Sequence, residues 1–276
     1  MSMPPEVQRQ IVDLFDETAN AYDRVDGIPF FGPIADGLLE QLAPQAGERT
    51  LDVGCGSGAL LVSLARSVAP NGRATGIDAA PSMVVRAREE AAARSVKVDV
   101  LVGDAQAPDF PPASFDVVGS SLVLFFLSDP VAALAAWREL LVDGGRVGIS
   151  TFGAFNDSWH PVEAVFDAFT PPADPNPRAP VPSNPFASDE GVEKLLGAAG
   201  YRGVRTVGSS ISVRFDDVDQ WERWSRSHGQ LRWWKMVPGE RLPEVRAAAA
   251  DALELTRDTN GRMGFDQQIR YTLGRR

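Results

Sequence analysis

The chain contains 276 residues, of which 44% are hydrophobic and 23% are charged. This composition is typical of a folded chain with one large domain, or a domain and a cap, and it excludes a disordered or fibrous protein. The formal net charge of −10 at pH 7 disfavours a nucleic-acid substrate, because binding to phosphate backbones depends on basic patches.

The first predicted element is an N-terminal helical segment over residues 1–45. Apolar residues recur at helical spacing between Val7 and Tyr22, and Gly27-Ile28-Pro29 ends the helix. A second helix is predicted from Ile34 to Leu42, and it leads into the first strand.

From residue 46 onward, strand and helix patterns alternate in the order of a doubly wound parallel sheet. The first five strands are predicted around Leu51 to Val53, Ala74 to Asp78, Val96 to Val102, Phe115 to Val118 and Arg146 to Thr151. The helices between them are predicted at Ala59 to Ser67, Pro81 to Arg94 and Val131 to Leu141. The predicted fold class is therefore α/β.

The first strand runs into three glycines at alternate positions, Gly54, Gly56 and Gly58. Glycine permits positive φ and lets a ligand approach the backbone where a Cβ would collide, so this turn is a candidate cofactor cradle. The G-x-G-x-x-G spacing of dinucleotide-binding proteins is not present, because leucines follow the third glycine. The second strand ends in Asp78, about 20 residues further on, where a carboxylate can accept the two hydroxyls of a ribose.

Five ordered motifs, LDVGCGSG, GID, GDA, SFDVV and LLVDGGRV, are similar to those of the class I S-adenosylmethionine-dependent methyltransferases. The resemblance implies a seven-stranded Rossmann-like sheet that binds S-adenosylmethionine. It implies that Asp78 holds the donor's ribose and that Asp104 with Ala105 holds its adenine. Asp52 beside the turn is predicted to hold the donor's ammonium group, the alternative being a solvated strand end. The predicted donor-binding residues are Asp52, Gly54, Gly56, Gly58, Asp78, Ala79, Met83, Asp104, Ala105, Ser120 and Ser121.

The segment from Phe15 to Asp23 is similar to the opening of quinone-biosynthesis C-methyltransferases and their natural-product relatives. In such enzymes this segment folds over the donor and helps to build the substrate wall. The resemblance therefore places Phe15 against a ligand and makes Tyr22 a candidate catalytic residue. A core stripe on an amphipathic helix stays an alternative for both side chains.

Beyond the fifth strand the pattern changes. Residues 171–185 are rich in proline and can form neither a helix nor a central strand, so they are interpreted as a boundary or a lid. A helix is predicted from Asp189 to Ala199, and the last two strands near Val204 to Phe215 and Met263 to Leu273. The predicted divisions are an N-terminal segment (1–45), a core (46–215), a helical substrate cap inserted between the last two strands (216–262) and the final strand (263–276).

Large aromatic side chains are concentrated in the predicted cap and in the segments before it. A packed helical core explains most of them, and the remainder would form an apolar pocket for a hydrophobic, ring-bearing or isoprenoid substrate. The predicted substrate-binding residues are Phe15, Phe125, Trp159, Phe186, Trp224 and His228.

Methyl transfer is an in-line displacement that mainly requires a nucleophile to be held about 3 Å from the methyl group. An oxygen nucleophile can also need a general base. His160 is predicted to be that base, because it follows the fifth strand at the carboxyl edge of the sheet, and an ordinary surface histidine is the alternative. Methylation of carbon, which needs no strong base, is a close competitor. A metal-dependent reaction is disfavoured, because no acidic cluster follows strands four and five.

The predicted function is an S-adenosylmethionine-dependent methyltransferase acting on a hydrophobic small molecule of specialised or quinone-like metabolism, at carbon or oxygen. Two alternatives stay open. One is C-methylation of an isoprenoid alkene that triggers cyclisation, and the other is a methyltransferase-fold protein that catalyses another step or serves as a binding partner.

The remaining expectations concern location, cysteine chemistry and assembly. The sequence has neither a signal-peptide pattern nor an apolar stretch long enough to span a bilayer, so a cytoplasmic protein is expected. The single cysteine, Cys55, excludes an internal disulfide framework and a cysteine-rich metal site. A homo-oligomer and a monomer are both compatible with the sequence.

Overall fold

The computed structural model describes residues 5–22, 27–169 and 184–276, and these residues build one seven-stranded sheet with flanking helices. Most of the proline-rich segment predicted as a lid, 171–185, lies outside the described residues. No helix in the described ranges is long and apolar enough to cross a membrane.

Strands and helices alternate through the first half of the chain, as predicted. The strands are β1 (Arg49–Val53), β2 (Arg73–Asp78), β3 (Asp99–Val102), β4 (Phe115–Ser121), β5 (Leu141–Phe155), β6 (Arg202–Phe215) and β7 (Met263–Arg275). The α-helices are α1 (Pro5–Thr18), α2 (Phe31–Leu42), α3 (Ala59–Val68), α4 (Pro81–Ala93), α5 (Pro130–Leu140), α6 (His160–Ala164), α7 (Asp189–Ala198), α8 (Val218–Arg226), α9 (Leu231–Met236) and α10 (Leu242–Glu254).

The order of strands across the sheet is β3-β2-β1-β4-β5-β7-β6. Strands β1 to β5 are parallel, whereas β7 runs antiparallel to both of its neighbours. The predicted seven-stranded Rossmann-like sheet is thereby confirmed. The strand order reverses beside β1, and ligands of open α/β sheets bind at the carboxyl ends of strands around such a switch point.

Burial on both faces explains the apolar runs of the central strands. In β1 every residue from Thr50 to Val53 is buried. Helix α3 presents Leu60, Leu61 and Leu64 to the same core. The sheet is therefore a rigid support for the loops at its carboxyl edge.

Three predicted strands, β3, β4 and β5, differ from those observed by three or more residues. Strand β4 continues to Ser121 instead of ending at residue 118, and β5 begins at Leu141 rather than at residue 146. Strand β3 begins at Asp99 rather than at residue 96, because Val96 donates its N–H to the Ala91 carbonyl (2.9 Å) and closes the end of α4. Strand β5 continues to Phe155 instead of ending at residue 151, since β7 offers it a partner beyond the parallel part of the sheet. The extension carries the chain away from the carboxyl edge of β4.

Three helices, α8, α9 and α10, lie between β6 and β7 in the insertion predicted to be a substrate cap. Trp221, Trp224 and Trp234 of this insertion are buried in the same hydrophobic core as the sheet. The cap thus shares its core with the last strands, and its role in substrate binding stays a prediction.

Candidate functional site

A cavity of about 390 Å³ lies at the carboxyl edge of β1, β2 and β4, beside helix α1. The glycine turn and the end of β2 line one side, and α1 with the turn after β4 lines the other. The predicted residues that line it are Gly54, Gly56, Asp78, Ala79, Met83, Asp104, Ala105 and Ser121, together with Phe15 and Tyr22. We call this space the donor cavity.

The glycine turn is fixed against β2, and two of its glycines line the donor cavity. The N–H groups of Gly54 and Cys55 donate to the Ile77 carbonyl at 2.8 and 2.9 Å. A Cβ on Gly54 would lie 2.4 Å from Cγ2 of Val123, whereas a Cβ on Gly56 would have nothing within 4 Å. Gly54 therefore permits close packing of the chain, and Gly56 leaves room for a ligand.

Three predicted donor-binding residues, Asp52, Gly58 and Ser120, do not line the cavity. Gly58 adopts φ +92° before α3, and a Cβ there would lie 3.3 Å from the backbone of Ala87. The Ser120 hydroxyl is buried and donates to the Val53 carbonyl at 2.8 Å. Gly58 thus allows α4 to approach the turn, and Ser120 ties β4 to β1, so a donor-binding role for either residue stays a prediction.

Asp78 is held at the edge of the donor cavity by backbone groups. Its Oδ2 accepts the Gly56 N–H at 2.8 Å, and its Oδ1 accepts the Ala80 N–H at 2.9 Å. Burial raises the pKa of the carboxyl, and the hydrogen bonds from the backbone lower it. The carboxylate is consequently fixed in orientation, with further lone pairs for the hydroxyls of a ligand.

The loop after β3 is braced from two directions. Asp104 Oδ1 accepts the Gln106 N–H at 2.8 Å. The Ala105 carbonyl accepts the indole N–H of Trp137 at 2.7 Å, and this tryptophan is fully buried in α5. Asp104 and Ala105 are thus presented to the donor cavity by a loop with little freedom.

Asp52 lies two residues before the glycine turn and is fully buried without lining the cavity. Neither of its carboxylate oxygens makes a hydrogen bond of normal geometry within the described residues, although the nearby Leu61 N–H slightly lowers its pKa. Burial and the negative charge of Asp78 raise this pKa to about 8. An unpartnered acid beside an open glycine cradle fits a cationic donor such as S-adenosylmethionine.

We expect the affinity for S-adenosylmethionine to rise with pH up to about 8, the pKa of Asp52 in the donor-free protein. Below that pH the free protein holds Asp52 protonated, and binding of a cation to the ionised form expels the proton. The affinity then changes by at most about tenfold per pH unit. Above it, loss of the donor's own ammonium proton, with a pKa of roughly 8, weakens binding again.

Calorimetric titration across this pH range, in buffers of different ionisation enthalpy, measures both the affinity and the proton release. The matched control is Asp52→Asn, which has no proton to release and is expected to remove the rise in affinity. Equal affinity of the wild-type protein at about pH 6 and about pH 8 would count against a link between Asp52 and the donor.

Helix α1 contributes four lining residues that the sequence interpretation did not assign to the site. They are Gln8, Arg9, Ile11 and Val12. Gln8, Ile11 and Val12 share a helix face with Phe15, so the helical spacing could have placed them in the site together with Phe15. The same spacing is equally typical of a helix face that packs in the core. The helix is anchored to the core, since Asp16 Oδ1 accepts the Ser82 N–H at 2.7 Å.

The turn after β4 contributes the remaining wall. Leu122 adopts φ +60°, an uncommon conformation for a branched residue. This bend carries Val123, Phe126 and Leu127 to the donor cavity. The strained backbone of Leu122 lies where the chain changes direction beside the predicted donor. Secondary-structure propensities of the sequence do not predict it.

An aromatic cluster adjoins the donor cavity and contains four of the six predicted substrate-binding residues. We define it as Phe30, Phe31, Phe125, Phe126, Phe152, Phe186, Trp224 and His228. The ring of Phe125 lies 5.5 Å from that of Phe152 and 6.0 Å from that of Phe186. Phe126 connects the cluster to Phe15 of the cavity, with ring centroids 5.5 Å apart.

Two predicted site residues lie elsewhere. Trp159 is buried and stacks on Phe265 at 4.3 Å, so core packing accounts for it. The His160 side chain is 63% exposed, with Nε2 3.9 Å from Asp157, and it does not line the donor cavity. Strand β5 extends to Phe155, and His160 follows it outside the donor cavity, so its role as the base stays a prediction that this position does not support.

Comparison with known proteins agrees with this geometry. Residues 50–145 match a family model described as a methyltransferase domain. The chain is 34% identical to nocamycin O-methyltransferase of Saccharothrix syringae, over 95% of the chain and 97% of that protein. It is 41% identical to aklanonic acid methyltransferase of Streptomyces sp. (strain C5), over 52% of the chain and 66% of the relative. The cyclase SpnF has a similar fold, with a TM-score of 0.51, 18% identity and coverage of 96% and 92% of the two chains.

Proposed function

The chain belongs to the S-adenosylmethionine-dependent methyltransferases, and on that premise we propose that it methylates an oxygen atom of a hydrophobic, ring-bearing natural product. One observation carries the proposal. The similarity to nocamycin O-methyltransferase extends over 95% of the chain, so it includes most of the cap as well as the donor-binding core. When bound, S-adenosylmethionine supplies a methyl group that its sulfonium makes electrophilic.

The lining of the donor cavity supports an assignment of roles. We propose that Gly54 and Gly56 hold the methionine part of the donor, that Asp78 accepts the ribose hydroxyls and that Asp104 accepts the adenine amino group. The resemblance to the class I methyltransferases implies this division, and the order of these residues along the cavity edge, from β1 through β2 to β3, is compatible with it. Tyr22 lines the cavity and stacks on Phe31 at 4.4 Å, and we propose that it orients the acceptor rather than moving a proton.

Neither of the chain's two histidines lines the donor cavity. The titratable side chains that do are Arg9, Tyr22, Asp78 and Asp104. Because the two acids are assigned to the donor, the proposal favours an acceptor oxygen that ionises readily, as in an enol, an acidic phenol or a carboxylic acid. The relative that acts on aklanonic acid is compatible with such a substrate.

The proposal is tested with S-adenosylmethionine carrying a ¹³C-labelled methyl group. The protein is incubated with a panel of hydrophobic enols, phenols and carboxylic acids, and the carbon spectrum of the products separates O-methyl from C-methyl groups. Label on oxygen supports the proposal. Label on carbon contradicts it and favours the alkene or ring methylation considered from the sequence. Donor binding without any transfer favours a different reaction on the same fold, as in the cyclase SpnF.

We expect His160→Ala to keep kcat/KM within about twofold of the wild-type value, because this side chain is mostly exposed and does not line the donor cavity. The measurement is the steady-state rate of methyl transfer from labelled donor. A loss of about 100-fold or more, the usual cost of removing a general base, would restore His160 to the reaction.

A further inference from the structure

Gln267 is a fully buried amide on β7 of which only one end is hydrogen-bonded. Its Nε2 donates to the carbonyls of Gly153 at 2.9 Å, Ala154 at 3.2 Å and Gln268 at 2.9 Å. Its Oε1 is buried and accepts no hydrogen bond from the part of the chain that the structure describes. Buried acceptors without a partner cost free energy and are rare, so this oxygen calls for an explanation.

The orientation of the amide is fixed by its surroundings. The register between β5 and β7 shifts between Phe152 and Phe155, and the carbonyls of Gly153 and Ala154 lie in that interval. These carbonyls require a donor, so the NH₂ group of Gln267 faces them and Oε1 faces the other way. Repair of the irregular register explains the NH₂ group, and the amide oxygen that comes with it is left without a partner among the described residues.

Gln267 lies at the base of the aromatic cluster. Side chains alternate along a strand, so Phe265, Gln267 and Ile269 share one face of β7. Ile269 pairs across the sheet with Phe152, which therefore faces the same way. The Phe30 ring lies 6.2 Å from that of Phe152 and 6.5 Å from that of Phe265, so it extends over the face that carries Gln267.

Two rings of the cap pack against Phe30 and so cover this face of the sheet. The ring of Trp224 lies 5.4 Å from that of Phe30, and the ring of His228 lies 6.0 Å from it. Phe30 itself is buried, so a substrate ring can reach Gln267 only when Phe30 moves aside. The result is a buried, apolar, ring-covered face of the sheet with one fixed acceptor on it.

We propose that Gln267 determines substrate specificity, its Oε1 accepting a hydrogen bond from an O–H or N–H group of a flat, ring-bearing acceptor substrate. This inference rests on the proposed function and adds to it a second polar group, remote from the oxygen that is methylated. A substrate without that donor group leaves Oε1 buried and unpaired, so the site selects against it.

The test compares binding of dihydroxynaphthalene isomers with binding of 1- and 2-naphthol, in the presence of S-adenosylhomocysteine. At least one dihydroxy isomer is expected to bind the wild-type protein about tenfold more tightly than either naphthol. In Gln267→Met, of similar volume, that preference is expected to fall to within about twofold. The same preference in both proteins would overturn the proposal, as would no preference in the wild-type protein.

A second measurement does not depend on the variant. In wild-type protein labelled with ¹⁵N in glutamine side chains, the Gln267 amide signal is expected to shift with the dihydroxy isomer and not with the naphthols. The Gln267 signal is identified by its absence from the spectrum of Gln267→Met. If that variant fails to fold, the signal is identified by elimination, with the other glutamines substituted one at a time. A shift of the Gln267 signal without methyl transfer supports this inference and contradicts the proposed function. Methyl transfer without any dependence on Gln267 supports the proposed function and contradicts this inference.

Discussion

Gly54→Ala is expected to reduce the affinity for S-adenosylmethionine by about 100-fold or more and to destabilise the fold. Gly54 has φ +70°, which costs an alanine roughly 1–2 kcal/mol. Its Cβ would also lie 2.4 Å from Cγ2 and 2.9 Å from Cγ1 of Val123, a stiff β-branched side chain that lines the donor cavity. Overpacking of this kind typically adds 1–3 kcal/mol, and Val123 or the turn must shift into the cavity. Donor calorimetry and thermal unfolding measure the two effects.

Variants at two other glycines separate the cost of the backbone conformation from the loss of space in the donor cavity. Gly47→Ala is the matched control, because Gly47 has φ +91° and a Cβ there would meet nothing within 4 Å, so only the cost of the backbone conformation remains. Gly56→Ala is expected to lose no more stability than Gly47→Ala, yet to bind the donor at least about tenfold more weakly, because its methyl group projects into the cavity. Wild-type affinity in Gly56→Ala would show that the donor lies elsewhere.

Asp78→Ala is expected to weaken donor binding by about 2–4 kcal/mol, roughly 30-fold to 1000-fold, because hydrogen bonds to a charged acceptor are worth about 1.5–3 kcal/mol each. The substitution also removes the acceptor for the N–H groups of Gly56 and Ala80, which loosens the turn. Isothermal titration with S-adenosylhomocysteine measures the change. Asp78→Asn, which retains one acceptor oxygen, is expected to have an affinity between those of the wild-type protein and Asp78→Ala.

A double-mutant cycle with a modified ligand isolates the ribose contact. 2′-Deoxy-S-adenosylhomocysteine is expected to bind the wild-type protein more weakly than S-adenosylhomocysteine, whereas Asp78→Ala is expected to bind the two ligands alike. An equal penalty for the deoxy ligand in both proteins would remove Asp78 from the ribose site, even if the substitution weakened binding by loosening the turn.

The donor side of the site was predictable because it is encoded locally. Gly54, Gly56, Asp78 and Asp104 each lie at or just after the end of a strand, and parallel strands bring their carboxyl ends to one edge of the sheet. The alternation of side chains along a strand limits this reasoning in β4. Ser120 and Ser121 are adjacent, so their side chains face opposite sides of β4, and the motif alone does not tell which one reaches the cavity.

The acceptor side depends on contacts between distant segments, and there the sequence was less informative. His160 was placed at the sheet edge on the assumption that β5 ends near residue 151. The strand instead continues from Ser150, which pairs with Ser121, to Phe155, a displacement of roughly 16 Å at the usual rise per residue. Composition likewise identified many rings in and before the cap, but not that Trp159 packs in the core while Phe125 joins the aromatic cluster.

The most direct test of the account is a calorimetric titration of the wild-type protein with S-adenosylmethionine, S-adenosylhomocysteine and NADH, repeated with Gly56→Ala. The account predicts that the first two ligands bind the wild-type protein with one site per chain, that NADH does not bind, and that Gly56→Ala weakens binding of both. Binding of NADH, or binding of S-adenosylmethionine that is indifferent to Gly56→Ala, would contradict the assignment of the donor cavity.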